Sequence, residues 1–397
     1  MSEGWEIRSG AGQTLRNETP DLTCKPGASC DEWKMGGIDL EELDTPALVV
    51  DLDVLERNIE KMREFLSGGT AGIRPHAKTH KTPAIARLQM EAGAVGITCA
   101  KLGEAEALVD HGIKDILIAN EVVGREKVRR LSELARRASV TVAVDCRANI
   151  EELDRSAVKA GVTIGAIVEI DVGNHRAGAR SVEEAVALAE VLSWCAGLRY
   201  RGVMGYEGHA VFIRGLEDRR KEAEKAYRIL LDLVSRLASR GLPPEIVSTA
   251  GTGTFMFAGR TPGITDIQAG SYIFMDQRYR CVEGLPFEQS LFVLSTVMSC
   301  PEPGVYICDA GTKSMSSEFG LVATLPGYGL QVRGMSEEHV TLVSSGEGGG
   351  ADLALGSKVL LVPSHCCTTV NLHDFIYGFR KGKVEVCWSI AGRGRSR

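Results

Sequence analysis

GITCAKLGEAEALVDHGIKDILIAN, residues 96–120, contains the fold in miniature. A short apolar run, GITCAK, is followed by a helix-like segment, EAEALVDHG, and then by a second apolar run, DILIAN. Both runs are too short for helices and carry no polar alternation. This is the pattern of strands buried on both faces and joined by a crossover helix. The same unit recurs in both directions along the chain. The strand-like runs are IRPHAK (73–78), GITCAK (96–101), DILIAN (115–120), TVAVDC (141–146), IVEIDVG (167–173), RGVMGYEG (201–208), EIVSTAG (245–251) and DIQAGSY (266–272). Amphipathic stretches separate most of them, the longest being LEDRRKEAEKAYRILLDLVSRLASRG at 216–241. Eight repeats predict a (β/α)8 barrel of the TIM type. A doubly wound sheet is the alternative, but no GxGxxG follows the first run.

The texture changes after about residue 286. VLSTVMSC, GVYICDAG, HVTLVSS, SKVLLVPSH and KVEVCWSIAG read as strands with turns between them and little helix. The expected organisation is therefore an α/β chain in three parts. Residues 1–36 form a polar, poorly ordered extension, residues 37–285 the barrel, and residues 286–397 a smaller, mostly β domain. The strand around PALVVDLD (46–53) is expected to pair with the barrel.

Composition bounds the function. The 397 residues carry a net charge of −6, which disfavours nucleic acid and acidic membrane as partners. No apolar run approaches the ~18 residues of a membrane-spanning helix. The eleven cysteines are scattered without a CxxC, as in a reduced, cytoplasmic protein.

In such a barrel the chemistry lies at the C-terminal ends of the strands. Lys78 ends the first run, Asn120 the third, and Arg176 follows the fifth. Tyr206 and His209 end the sixth. Ser248, Thr249, Gly251 and Thr252 end the seventh, and Gln268, Gly270, Ser271 and Tyr272 the eighth. Glycines and hydroxyls after strands seven and eight suit a phosphate, because they bring backbone N–H groups and donors close to it. A phosphate site facing a lone lysine suggests pyridoxal phosphate, with Lys78 as the Schiff-base amine. Lys78 lies in RPHAKTHK (74–81), where Arg74 and the two histidines are expected to lower its pKa. The alternatives are an ordinary exposed lysine or a surface patch for anions.

RPHAKTHK, DVGNHRAG, GYEGH, GTGTF, QAGSYIFMD, DAGTK and PSHCCTTVNLHD, in that order, resemble the D-threonine aldolase and D-serine dehydratase group. These are pyridoxal phosphate enzymes with an alanine-racemase-like barrel (fold type III). The resemblance covers about residues 40–397. It implies Lys78 as the Schiff-base lysine, Arg176 near the cofactor's phenolic oxygen and Tyr206 beside its ring. It also implies phosphate contacts from Gly251, Thr252, Gly270, Ser271 and Tyr272.

His365 and Cys367 fall two apart in PSHCC, so on a strand they would share one face. On the residues alone this pair is equally a buried structural cysteine beside a histidine. The resemblance implies a divalent metal there (manganese, magnesium or zinc), with His209 as a base or substrate contact. Asp309 and Lys313 of DAGTK receive no role. The group's aldolases look like His-x-Asp and its dehydratases like His-x-Cys, so Cys367 departs from the aldolase pattern. A thiolate also favours zinc. The implied activity is cleavage of a β-hydroxy D-amino acid, with D-threonine aldolase ahead. The alternatives are a D-serine or 3-hydroxy-D-aspartate dehydratase, a racemase, or a non-catalytic pyridoxal phosphate carrier. Sites in this barrel group often gain residues from a partner chain, which implies a homodimer.

Overall fold

The computed structural model describes residues 31–325, 328–345 and 353–397. Most of the expected extension, and Cys24 and Cys30 with it, lies outside the described residues.

All eight strand-like runs form strands of one parallel sheet, from Gly72–Ile73 and Ile97–Cys99 through to Ile246–Thr249 and Asp266–Ile267. Each strand pairs with its sequence neighbour, and the eighth pairs with the first. The ring closes between the first and second strands through a parallel bridge from His76 to Thr98, with Thr98 N donating to Pro75 O at 2.9 Å. Leu117, Ala143, Ile167, Met204 and Ile246, from five successive strands, fill the interior and are fully or almost fully buried. Burying each large apolar side chain contributes about 1.5–3 kcal/mol. The barrel is thus a packed core, and space for chemistry is left above it.

The crossover helices start where local chemistry directs them. Ser181 caps Val182–Ser193 by accepting from Glu184 N at 3.1 Å. Glu104 accepts from Ala100 N and Lys101 N at the head of Leu102–Asp110. Gly161, left-handed at φ 64°, ends Arg147–Ala160. That helix and Val182–Ser193 were not singled out in the sequence, but they complete the alternation.

The second sheet has ten strands and draws on both ends of the described chain. Glu32–Asp39 pairs antiparallel with Lys383–Ser389. Ala47–Asp51 pairs with Leu291–Glu302 and with Phe375–Arg380. The strand of PALVVDLD therefore belongs to this sheet and does not pair with the barrel. The expected boundary between residues 36 and 37 likewise gives way, since residues on both sides of it, 32–51, build the second domain before the chain enters the barrel. The reason is burial. Val49 and Val50 are completely buried and face opposite sides of the strand, Val50 toward the main core and Val49 toward a smaller cluster with Phe292, Leu294 and Phe379. Only a central strand satisfies both faces.

Asp309 and Lys313 also find their places in this domain. Asp309 accepts from Ser295 Oγ and Thr296 N, both at 2.8 Å, and from Thr45 Oγ1, tying strands together. Lys313 is an exposed partner of Glu338.

Candidate active site

A cavity of about 340 Å³ opens where the C-terminal ends of the barrel strands meet the second domain. Its wall includes Lys78, Arg176, Tyr206, Gly251, Thr252, Gly270, Ser271, His365 and Cys367. The barrel supplies the first seven and the β domain the last two. His76, Thr79, Asn120, Phe212, Gln268 and Tyr279 complete much of the rest.

The five cations of RPHAKTHK separate cleanly. Arg74 is buried and turned toward the opposite end of the barrel, where it pairs with Asp266 at 2.6 Å and with Asp115. Both carboxylates sit at strand beginnings. Lys81 pairs with Glu104 at 3.0 Å, and both side chains are buried. His80 is fully buried, and burial pushes its pKa down to about 4. Burial, with Lys78 nearby, also holds His76 well below the ordinary histidine range. Both rings are therefore neutral at pH 7. The expectation that Arg74 and the histidines surround Lys78 with positive charge is not met: one is neutralised by carboxylates and the others carry no charge. Of the arginine and two lysines in this segment, Lys78 alone reaches the cavity, its Nζ 5.9 Å from the centroid of the Tyr206 ring.

Arg176 approaches the same ring, its guanidinium carbon 5.7 Å from the centroid. Beneath it lies Glu169, 3.6 Å away. Burial and the neighbouring Glu121 push the Glu169 carboxyl up to about 8. Tyr206 is pushed up to about 12 by burial and the charge of Glu207, so it keeps its proton.

The loops after strands seven and eight fit an anion. Thr252 Oγ1 is buried without a hydrogen-bond partner among the described residues, a donor left over for something else. Gly270 has no room for a side chain: a Cβ there would meet Thr79 Oγ1 and lie 2.7 Å from His76 O. Three of the expected residues stand behind the wall. Ser248 Oγ accepts from Gln268 Nε2 at 2.8 Å, and Thr249 Oγ1 donates to Gly205 O at 2.6 Å and Glu207 at 2.8 Å. Tyr272 is buried with its hydroxyl accepting from Gln89 at 3.0 Å. His209 is exposed and is absent from the wall; its ring lies against Gly173.

The β-domain wall is not built as expected. PSHCC does not continue as a strand: Lys358–Val362 ends, and Cys366–Val370 is a short helix with extended His365 as its first flanking residue. His365 and Cys367 nonetheless converge, because the helical turn replaces the strand pleat. The ligand atoms of His365, Cys366 and Cys367 all lie within 4.8 Å of one another. The device that sequence reading missed is Asp276, fully buried in the loop after the eighth barrel strand. Its carboxylate accepts from His365 Nδ1 at 2.8 Å and from Cys366 N at 2.9 Å. It also caps Gln277–Arg280 by accepting from Tyr279 N. With Nδ1 engaged, His365 offers Nε2. A capping aspartate before a helix was the available signal, but nothing in the sequence tied it to His365.

The electrostatic setting readies the thiol, whereas a metal would have to displace a proton from His365. Burial opposes charge on His365, but the hydrogen bonds to Asp276 and Cys367 outweigh it and push the ring up to about 10. The Cys367 thiol is held well below its ordinary range by the hydrogen bond from Cys366, against burial, with His365 and Lys78 adding to the effect. Burial pushes Cys366 the other way. Cys367 is thus the ready thiolate, the form that binds metal. A carboxylate–histidine pair beside a thiolate fits a divalent ion, and zinc in particular.

Residues 50–278 match the alanine racemase N-terminal domain family, and residues 290–379 match a serine dehydratase domain. A D-threonine aldolase from Arthrobacter sp is 40% identical over 91% of this chain and 96% of its own length. The chain belongs to the D-threonine aldolase and D-serine dehydratase group. This is a group of lyases on the pyridoxal phosphate barrel of fold type III. The crystal structure of D-threonine aldolase from Filomicrobium marinum superimposes with a TM-score of 0.87 at 40% identity, covering 90% of this chain and 98% of that one. D-threo-3-hydroxyaspartate dehydratase from Delftia sp. HT23 follows with a TM-score of 0.80 at 29% identity, covering 88% and 98%. Among the described residues no helix is long and apolar enough to cross a membrane.

Proposed function

We propose that this chain is a lyase dependent on pyridoxal phosphate and a divalent metal that cleaves D-threonine to glycine and acetaldehyde. The observation that carries the reading is the convergence of Lys78 and the His365/Cys367 pair on one cavity from two different domains. A pyridoxal phosphate carrier would need the lysine but not the ligand pair.

When bound, pyridoxal phosphate supplies an aldehyde to capture the substrate amine and a ring that accepts the electron pair released at Cα. Lys78 would hold the aldehyde. Thr252, Ser271 and the backbone at Gly251 and Gly270 would hold the phosphate. Arg176 would set a positive charge near the phenolic oxygen, and Tyr206 would pack beside the ring. His365 Nε2 and Cys367 Sγ would hold the divalent ion, which would supply Lewis acidity at the β-hydroxyl. Phe212, Met204 and Tyr279 limit water in the cavity. His209, exposed and off the wall, is given no proton to move.

A second reading is supported by Cys367 itself. Variants of the hydroxyaspartate dehydratase lacking a histidine, and lacking a cysteine two positions further on, are among the matching structures, the latter in a metal-free form. That spacing is the spacing of His365 and Cys367. In this reading Lys78 takes the α-proton and hydroxide leaves the β-carbon, yielding a 2-oxo acid and ammonia.

Product identification decides between them. D-threonine with pyridoxal phosphate and either manganese or zinc is expected to give glycine and acetaldehyde. Ammonia and 2-oxobutyrate would overturn the aldolase reading in favour of the dehydratase. The free thiols of the described cysteines support a protein of the cytoplasm, and the group's barrel supports a homodimer; sedimentation at micromolar concentration would test the latter, and a monomer would refute it.

A further inference from the structure

The cavity wall holds one lysine and one arginine, Lys78 and Arg176, and the proposed function commits both to the cofactor. An amino-acid substrate brings a carboxylate, and a carboxylate taken into a cavity needs a partner. Arg278 packs against that wall through Phe212. Its guanidinium lies between two aromatic rings, 3.5 Å from the centroid of Phe212 and 3.6 Å from that of Phe319. Phe212 belongs to the cavity wall, and Phe319 packs edge-on against His365 at 5.2 Å. Arg278 is half-buried, and its side chain makes no ion pair or hydrogen bond with any described residue. This contrasts with Arg74 and Arg219, whose buried guanidinium groups are fully engaged by protein oxygens. Two rings fix the plane of the Arg278 fork and leave its five donors free, which suits bidentate capture of a carboxylate.

We propose that Arg278 is a specificity-determining residue that binds a substrate carboxylate at the mouth of the cavity, beside the His365/Cys367 pair. The inference rests on the lyase reading above. The carboxylate is either the one on Cα, common to all amino-acid substrates, or a second one carried by the side chain, as in 3-hydroxy-D-aspartate. Phe212 and Phe319 act as positioning residues that hold the fork in place.

The test is steady-state kinetics of Arg278→Gln with D-threonine and with 3-hydroxy-D-aspartate, on the cofactor- and metal-loaded enzyme. KM is expected to rise roughly 10- to 100-fold, the size of a lost hydrogen-bonded charge, with kcat nearly unchanged. A rise for both substrates assigns the Cα carboxylate, and a rise for 3-hydroxy-D-aspartate alone assigns the side-chain carboxylate. Unchanged KM for both overturns the proposal. If the glutamine variant does not fold, Arg278→Lys keeps the charge and loses the stacked fork; a smaller rise in KM is expected, and an unchanged KM overturns the proposal there too. The two readings fail separately: no turnover of either substrate by the unaltered enzyme removes the lyase reading, whereas turnover insensitive to Arg278 removes only this one.

Discussion

On the barrel side of the cavity, each side chain is set by the end of a different strand. On the β-domain side, His365 and Cys367 hang from one helical turn and are aimed by a single carboxylate that belongs to the barrel. The first wall has many supports, since the sheet register fixes Lys78, Arg176, Gly251 and Gly270 independently. The second has few, and the bond from Asp276 to His365 crosses the domain boundary. Precision in the two walls thus comes from different sources, and each should fail in its own way.

The largest effect is expected in the barrel wall. Lys78→Ala should lower turnover by roughly 10²–10⁴-fold, because the amine that would hold the cofactor's aldehyde is lost. Metal binding to the apo-protein, read by chelator competition, should weaken only slightly, through the positive charge lost near Cys367. If it falls in parallel, the walls are not separate.

Acid is expected to come next. His80 is neutral and buried, with a folded pKa of about 4 against 6.5 in the unfolded chain. At pH above 6.5 neither state binds the proton and no penalty exists. Between 6.5 and 4 the unfolded chain takes up a proton that the fold refuses, so stability falls as pH falls, by about 3 kcal/mol once both states are protonated. Denaturant unfolding at pH 7 and pH 4.5 checks this, and His80→Gln should flatten the dependence.

Asp276→Asn strikes the second wall. It should weaken divalent-metal affinity by roughly 10–100-fold, as loss of a ligand-orienting partner does. The absorbance of bound pyridoxal phosphate should stay as it was. Equal metal affinity in wild type and variant would dissolve the contrast. Thr252→Val is expected to be the mildest. Its hydroxyl has no partner among the described residues, so folding stability should hold while cofactor affinity drops severalfold, about 1 kcal/mol.

The same contrast explains what was legible in the sequence. Barrel strands such as DILIAN are short, apolar runs bounded by turns, and their order fixes which residues reach the C-terminal face. Lys78, Arg176, Tyr206, Gly251, Thr252, Gly270 and Ser271 reach the cavity for that reason. Ser248, Thr249 and Tyr272 lie in the same loops but turn to buried partners, a matter of side-chain direction that no spacing encodes. The pairing of Glu32–Asp39 with Lys383–Ser389 joins the two ends of the described chain, beyond any local pattern. PSHCC was read with a strand period, whereas Asp276 accepting from Cys366 N starts a helix there. His365 and Cys367 still meet, so their convergence was anticipated through the wrong geometry. Arg278 was overlooked because its partners, Phe212 and Phe319, come from distant segments.

The most direct test is a crystal structure of the protein loaded with pyridoxal phosphate and zinc, with data collected at the zinc edge. The account predicts continuous density from Lys78 Nζ to the cofactor, and in the same cavity an anomalous peak bonded to His365 Nε2 and Cys367 Sγ. A cofactor joined to another lysine, or zinc bound away from that pair, would contradict it.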